Sequence, residues 1–330
     1  MNYIDLFCGA GGFSIGFNKV GFKNVFALDI NKEWCETYKN FFPQHKVICE
    51  DIKEFSDIQI KQLCKGKKID VIIGGPPCQG FSIAGNIGRT FVDDHRNHLF
   101  KEFARTVSVV QPKYFVMENV ARLYSHRSGK TREEIVRTFL NLGYQTSAQI
   151  VNSVDFGVPQ KRRRVIFIGT KSRDKIICSL RKQKKISTVK DSISDLPVLK
   201  SGQKSSFPNH EAMTHTRQML EKMRYVSDGG NRVEIPAELR PKSGDARKYI
   251  RYNSAEPSVC ITGDMRKVFH YKENRALTVR ELARLQTFPD DFIFVGTRIS
   301  QQQQVGNAVP PLLAEEIAVC IKKMIKGINE

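Results

Sequence analysis

Short apolar runs alternate with amphipathic stretches through the first 170 residues. Val25-Phe26-Ala27-Leu28, Val71-Ile72-Ile73, Tyr114-Phe115-Val116 and Val165-Ile166-Phe167-Ile168 are too short for helices and rich in β-branched and aromatic residues, so they predict buried strands. On this reading strands fall near 2–7, 24–29, 46–50, 69–74, 113–118, 145–152 and 164–169. Helices fall near 12–20, 31–41, 57–65, 96–110 and 131–142. The alternation predicts an α/β class with a mostly parallel, twisted sheet covered on both faces. From about 186 to 271 the rhythm stops: the stretch is polar, holds Pro208, Gly229, Gly230, Pro236, Pro241, Gly244, Pro257 and Gly263, and reads as a smaller, irregular domain. Helical stripes return at 277–287 and 311–325. The expected division is therefore a discontinuous domain, 1–185 plus 272–330, with 186–271 set apart.

Charge narrows the partner. Among 330 residues, 53 are Lys or Arg and 34 Asp or Glu, a net charge of +19, which favours a polyanion and nucleic acid first. Residues 161–190 hold twelve Lys or Arg against one acid, Asp174, and read as a phosphate-facing margin. The eight cysteines are scattered without a Cys-x-x-Cys pair, so no zinc site or disulfide framework is expected, and no metal. Scattered thiols suit a reducing cytoplasm. No apolar run approaches the roughly 20 residues of a membrane span, and the expectation is a soluble, cytoplasmic protein with no membrane partner.

The candidate chemistry gathers at the ends of the apolar runs, where open α/β sheets carry their sites. Cys78 follows Gly74-Gly75-Pro76-Pro77, a turn that fixes the backbone and leaves the thiol poised as a nucleophile. Glu118 ends the Tyr114-Phe115-Val116-Met117 run, so it shares that sheet edge and can deliver a proton. Alternation along a strand from Gln160 to Gly169 puts Arg162 and Arg164 on one face, where both can serve one site. Phe7-Cys8-Gly9-Ala10-Gly11 turns a strand into a helix and suits a nucleotide, a dinucleotide or S-adenosylmethionine. Asp29 and Asp51 end the next two strands, where each could take hydrogen bonds from a cofactor or cap a helix.

With these motifs in place the chain resembles the DNA (cytosine-5)-methyltransferases, and among them the compact bacterial type II enzymes of restriction–modification systems. The resemblance rests on Phe7-x-Gly9-x-Gly11, Pro76-Pro77-Cys78-Gln79, Glu118-Asn119-Val120 and Gln160-x-Arg162-x-Arg164, continued by Arg275-x-Leu277-Thr278-Val279-Arg280-Glu281, Leu285-Gln286-Thr287-Phe288-Pro289 and Gln304-Val305-Gly306-Asn307-Ala308-Val309-Pro310. It covers nearly everything outside 186–271.

The resemblance implies a Rossmann-like methyltransferase fold with 186–271 as target-recognition domain. It implies S-adenosylmethionine as methyl donor, S-adenosylhomocysteine as product, and duplex DNA as substrate. Cys78 would attack C6 of a flipped-out cytosine, Glu118 would contact N3 and the 4-amino group, and Arg162 and Arg164 would hold the base oxygen, Glu118 or a phosphate. Phe7, Gly9, Gly11, Asp29 with Ile30, Asp51 with Ile52, Pro77, Asn307 and Ala308 would line the cofactor, Asp29 standing where many members carry Glu. Ser82 and Arg96 would lie in a mobile loop over the DNA. Gly229, Gly230, Asn231, Arg232 and Arg266 would face the duplex, Gly229-Gly230-Asn231 entering the gap left by the base; a plain glycine turn is the other reading. A monomer is expected, with a cognate restriction endonuclease acting on the same DNA site without direct binding.

Other readings explain less. An NAD-dependent dehydrogenase lacks its third spaced glycine, since Phe13 and Ser14 follow Gly12, and leaves Cys78, Glu118 and the arginines idle. An inactive DNA-binding protein would not need the intact catalytic set. The family's tRNA-directed branch shares that set but carries a Cys-Phe-Thr element, which Cys260-Ile261-Thr262 echoes only loosely.

Overall fold

The computed structural model describes residues 1–77, 99–171, 178, 180–183, 185–241, 245 and 248–328. They divide into two compact units. The first comprises Met1–Asn152, Arg163–Arg181 and Pro311–Glu330; the second Ser153–Arg162 and Lys182–Pro310.

In the first unit, strands β1 (Asn2–Leu6), β2 (Lys23–Asp29), β3 (Val47–Cys49), β4 (Val71–Gly74), β5 (Tyr114–Val120) and β6 (Gln145–Asn152) are joined by β8 (Arg163–Thr170) in a seven-stranded sheet, while β7 (Gln160–Lys161) belongs to the second unit. The order is β3-β2-β1-β4-β5-β8-β6. β1 to β5 are parallel and β8 runs antiparallel to both β5 and β6, so the predicted parallel sheet is closed by one reversed strand. Around it stand α1 (Gly12–Lys19), α2 (Lys32–Phe41), α3 (Asp57–Cys64), α4 (Leu99–Val110), α5 (Arg122–Ser125) and α6 (Lys130–Asn141). One core cluster runs from Ile4, Phe26 and Ile72 through Phe103 and Phe115 to Phe139 and Phe167. Gly169 is required there, because a Cβ would lie 1.9 Å from the Phe115 ring, which stacks on Phe139 at 4.0 Å.

Leu6 pairs with both Leu28 and Gly74, and Gly74 with Met117, so the C-terminal ends of β1, β2, β4 and β5 share one edge, as open parallel sheets place their sites.

The second unit holds α7 (Val189–Ile193), α8 (Arg217–Tyr225), α9 (Val279–Leu285) and α10 (Arg298–Asn307), with Ser258–Val259 parallel to β7 and Ile250–Arg251 to Val268–Phe269. Three of its largest fully buried side chains are arginines: Arg162, Arg275 and Arg280. Arg275 grips both Glu281 oxygens at 2.8 and 2.6 Å and donates to Leu199 O at 3.0 Å; Arg280 donates to Pro208 O, Pro289 O and Phe292 O. These bonds tie 272–292 to 199–208, so residues 272–310, expected with 1–185, group with 182–271. Apolar periodicity could not reveal that division, because buried charge carries it.

Helix α11 (Pro311–Lys326) rejoins the first unit. Its crossing with α1 is close: a Cβ on Gly16 would lie 2.3 Å from Glu315 N and 2.6 Å from Ala314 Cβ. The thiols also depart from expectation, for Cys178 and Cys320 form a disulfide with Cα atoms 5.6 Å apart. Among the described residues no helix is long and apolar enough to cross a membrane.

Candidate active site

At the C-terminal sheet edge, β1 ends in Phe7 at φ 56° and Gly9 at φ 53°, turning the chain into α1. The turn is held by Asp29, whose Oδ2 accepts Gly9 N–H and whose Oδ1 accepts Asn31 N–H, each at 2.9 Å. Asp29 is 7% exposed; burial pushes its pKa up, and the backbone amides of Asn31, Gly9 and Ile30 pull it back. Each oxygen keeps a second lone pair for a ligand hydroxyl. The N-cap of α1 is Gly11, which makes no side-chain cap bond, so the first amides of that helix face the turn. A Cβ on Gly11 would sit 2.8 Å from the Tyr38 ring. Ile30 is 67% exposed, an apolar side chain left beside the Asp29 carboxylate.

Asp51 lies in the turn after β3, half-buried, its Oδ1 accepting Lys53 N–H at 3.0 Å. The Ile52 side chain is buried in the main core, and its carbonyl accepts Arg105 Nη2 at 2.7 Å.

Behind the turn is a site that sequence reading missed. Asp5 is 1% exposed, and its Oδ2 accepts Ser14 Oγ at 2.6 Å, while Ser14 Oγ also meets Tyr38 OH at 2.7 Å. Burial pushes the Asp5 carboxyl up to about 8, so it stays protonated at neutral pH. An acid inside an otherwise apolar strand was the available signal.

Where β4 meets β5, Gly74 pairs with Met117, and a Cβ on Gly75 would lie 3.3 Å from Glu118 Oε2. The Gly-Gly-Pro-Pro turn thus passes directly against the Glu118 carboxylate. Asn119 Nδ2 donates to Pro76 O at 3.0 Å and pins the turn. Glu118 is 8% exposed, and Arg164 Nε lies 2.7 Å from its Oε1 at an angle poor for a hydrogen bond, so that contact is chiefly one of charge. Cys78, Ser82 and Arg96 lie outside the described residues.

Arg162 does not share the face of Arg164. The chain breaks between β7 and β8 at Arg162, so strand alternation does not run through it. In the second unit its guanidinium donates to Ile261 O at 3.1 Å and Ala308 O at 3.0 Å and approaches Cys260 Sγ at 3.7 Å. Gln160, fully buried, donates to Gln286 Oε1 at 2.8 Å and accepts Ile261 N–H at 2.9 Å, and Gln286 Nε2 donates to Val305 O at 2.7 Å. Three motifs far apart in sequence are thereby fastened to one another. Asn307 ends α10 in the same unit.

Gly229 has φ 77°, and a Cβ on Gly230 would lie 2.3 Å from Glu234 Oε1. Exposed Asn231 accepts Val233 N–H at 3.0 Å, capping the short 3-10 turn Arg232–Glu234. Arg266 is half-exposed and paired with Asp264 at 2.8 Å, a contact that holds the Asp264 carboxyl well below its usual range. Within the basic margin at 161–190, β8 runs the length of its neighbour β5, with Arg164 near one end of the strand and Lys171 just past the other.

The profile of the C-5 cytosine-specific DNA methylases matches residues 1–323. The chain is 58% identical over 324 residues to the type II methyltransferase M1.HphI of Haemophilus parahaemolyticus, covering 98% of this chain and 87% of that protein. It is 35% identical to M.DdeI of Desulfomicrobium norvegicum, covering 100% and 90%. A crystal structure of an Escherichia coli prophage-encoded DNA modification methyltransferase is similar with TM-score 0.81 and 27% identity over 99% of both chains. Schizosaccharomyces pombe Dnmt2, at TM-score 0.66 and 16% identity, shares the fold, covering 98% of this chain and 99% of that one. The chain belongs to the C-5 cytosine-specific DNA methylase family and is a DNA (cytosine-5-)-methyltransferase.

Proposed function

We propose that the chain is the modification enzyme of a type II restriction–modification system, transferring a methyl group from S-adenosylmethionine to C5 of a flipped cytosine through a covalent Cys78–C6 intermediate. The observation that carries this reading is the contact of the Gly74-Gly75-Pro76-Pro77 turn with Glu118 at the sheet edge that also holds the Gly9–Asp29 turn. S-adenosylmethionine supplies an electrophilic methyl group. The turn fits such a ligand: bent amides, a helix N-terminus without a side-chain cap, a buried carboxylate with spare lone pairs and an exposed Ile30. Asp29 would take the ribose hydroxyls and Asp51 the adenine amine, with Phe7 and Pro77 beside them.

The Cys78 thiolate adds to C6 of the cytosine while Glu118, carrying a proton for this step, passes it to N3, so the electron pair reaches C5. C5 then takes the methyl group, releasing S-adenosylhomocysteine; the C5 proton passes to solvent as the thiolate leaves, and N3 returns its proton to Glu118 as the ring regains aromaticity. Arg164 holds Glu118 in place. Residues 186–271 choose the sequence, with Gly229, Gly230, Asn231, Arg232 and Arg266 facing the duplex; Ser82 and Arg96 also contact DNA. The protein works as a cytoplasmic monomer, and a cognate endonuclease cuts the same site independently.

Labelled S-adenosylmethionine offered with either duplex DNA or tRNA tests the substrate, and duplex DNA is the expected acceptor. DNA carrying 5-fluorocytosine should trap an adduct through Cys78, since loss of the C5 proton is blocked. An adduct mapping to Cys8 or Cys260 would overturn the assignment.

A further inference from the structure

The opposite edge of the first unit's sheet carries a row of lysines that the methyl-transfer site does not use. Lys23 opens β2 and pairs with Asn2. Lys67 and Lys68 precede β4, Lys113 precedes β5, and Lys171 follows β8, level with Lys113 because Tyr114 pairs with Thr170. Lys326 arrives on the last turn of α11, brought to this edge by Tyr114 OH donating to Met324 O at 3.2 Å. All six are exposed. Asp70, the acid at the level of the row, is buried with its Oδ2 accepting Asn2 N–H at 2.7 Å.

Helix ends explain only part of this charge. α1, α2, α3, α4, α6 and α11 finish at the same edge, and six C-termini at roughly half a charge each supply about three negative charges. Six lysines exceed that by about three. Lys113 and Lys171 stand over the rings of Tyr114 and Tyr144 at 5.6 and 5.3 Å, so two of the ammonium groups are steadied. Across β2, β1, β4, β5 and β8 the row spans about 19 Å. A duplex of that length carries about eleven phosphates.

We propose that this edge docks a second stretch of duplex DNA through its phosphates, without reading sequence, while the C-terminal edge holds the stretch that carries the target cytosine. Duplex is favoured over other polyanions because the enzyme's own substrate is a polymer. Once one stretch is held, its neighbours are present at high local concentration. The arrangement would let the enzyme bridge two segments and pass between them.

The test uses the full chain, bead-bound plasmid and a labelled 30-base-pair duplex of unrelated sequence. Wild type should capture the free duplex at low salt. The variant Lys23→Gln/Lys68→Gln/Lys113→Gln/Lys171→Gln should lose capture by about tenfold or more, with the salt slope of log affinity smaller by about 3 to 4. Methyl incorporation into the plasmid at saturating enzyme should stay within about twofold, and the fourfold Lys→Arg variant should still bridge. Absence of bridging by wild type, or equal bridging by the Gln variant, would overturn the proposal, as would tighter capture of phosphatidylglycerol vesicles than of duplex. Bridging without methyl incorporation by wild type would count against the methyl-transfer reading alone.

Discussion

Arg162 and Arg164 stand two positions apart and do different work, which makes them a sharp test. Arg164→Met leaves the buried Glu118 carboxylate without its cation 2.7 Å away, so methyl transfer should fall about 10²-fold or more with a modest change in Tm. Arg162→Lys cannot satisfy the Ile261 and Ala308 carbonyls together, so Tm should fall by the equivalent of about 2–3 kcal/mol while the folded fraction retains its rate. Single-turnover kinetics beside thermal melts separate the two; a reversed pattern would return Arg162 to the catalytic group. Asp5 offers a pH signature. Its folded-state pKa, about 8, exceeds its unfolded value near 3.8, so the folded state holds a proton that the unfolded state releases, and stability is lost as pH rises between them. Asp5→Asn keeps the Ser14 bond and removes that titration, so its melting advantage over wild type should widen from pH 5 to pH 8 and then level off. The Gly74–Pro77 turn and the place of Glu118 at the sheet edge were legible because each ends an apolar run. Arg162 was misread because period two was carried through a break in the strand that no local propensity marks.

The predicted strands and helices of the first unit appear within a few residues of their expected positions, since buried parallel strands write themselves as continuous apolar runs. α10 escaped because three of its five buried residues, Ser300, Gln302 and Gln304, are polar. Gln304 Nε2 donates to Val295 O at 2.9 Å, and Gln302 Oε1 accepts Met265 N–H at 3.4 Å, so a helix face packs by hydrogen bonds where periodicity looks for hydrocarbon. α8 escaped for a different reason: Met223 is its one buried residue, too little to write an apolar stripe. The element-scale prediction concerns the α1–α11 crossing. Gly16→Ala adds one methyl where Ala314 and Glu315 already touch, so overpacking should cost about 1–3 kcal/mol. Thermal melts should show the loss, and a compensating Ala314→Gly should recover part of it.

At the scale of the whole chain, the recognition region can be exchanged at two sets of boundaries. Replacing 186–271 with a relative's segment cuts through the Arg275–Leu199 and Arg280–Pro208 bonds, whereas replacing 182–310 carries both along. Both hybrids should acquire the donor's target sequence, read by mapping methylated cytosines, and the larger exchange should melt higher. An active hybrid that still marks the original site would remove 186–271 from the recognition role. The late position of α11 has a consequence for synthesis. The seven strands are complete once Thr170 has left the ribosome, but the helix that covers Gly16 of α1 is not made until Pro311–Lys326. At about 5–20 residues per second, the α1 surface waits roughly 10–30 seconds for its cover. During that interval the nascent enzyme carries an open apolar groove, and a chaperone that binds such grooves has its opportunity there.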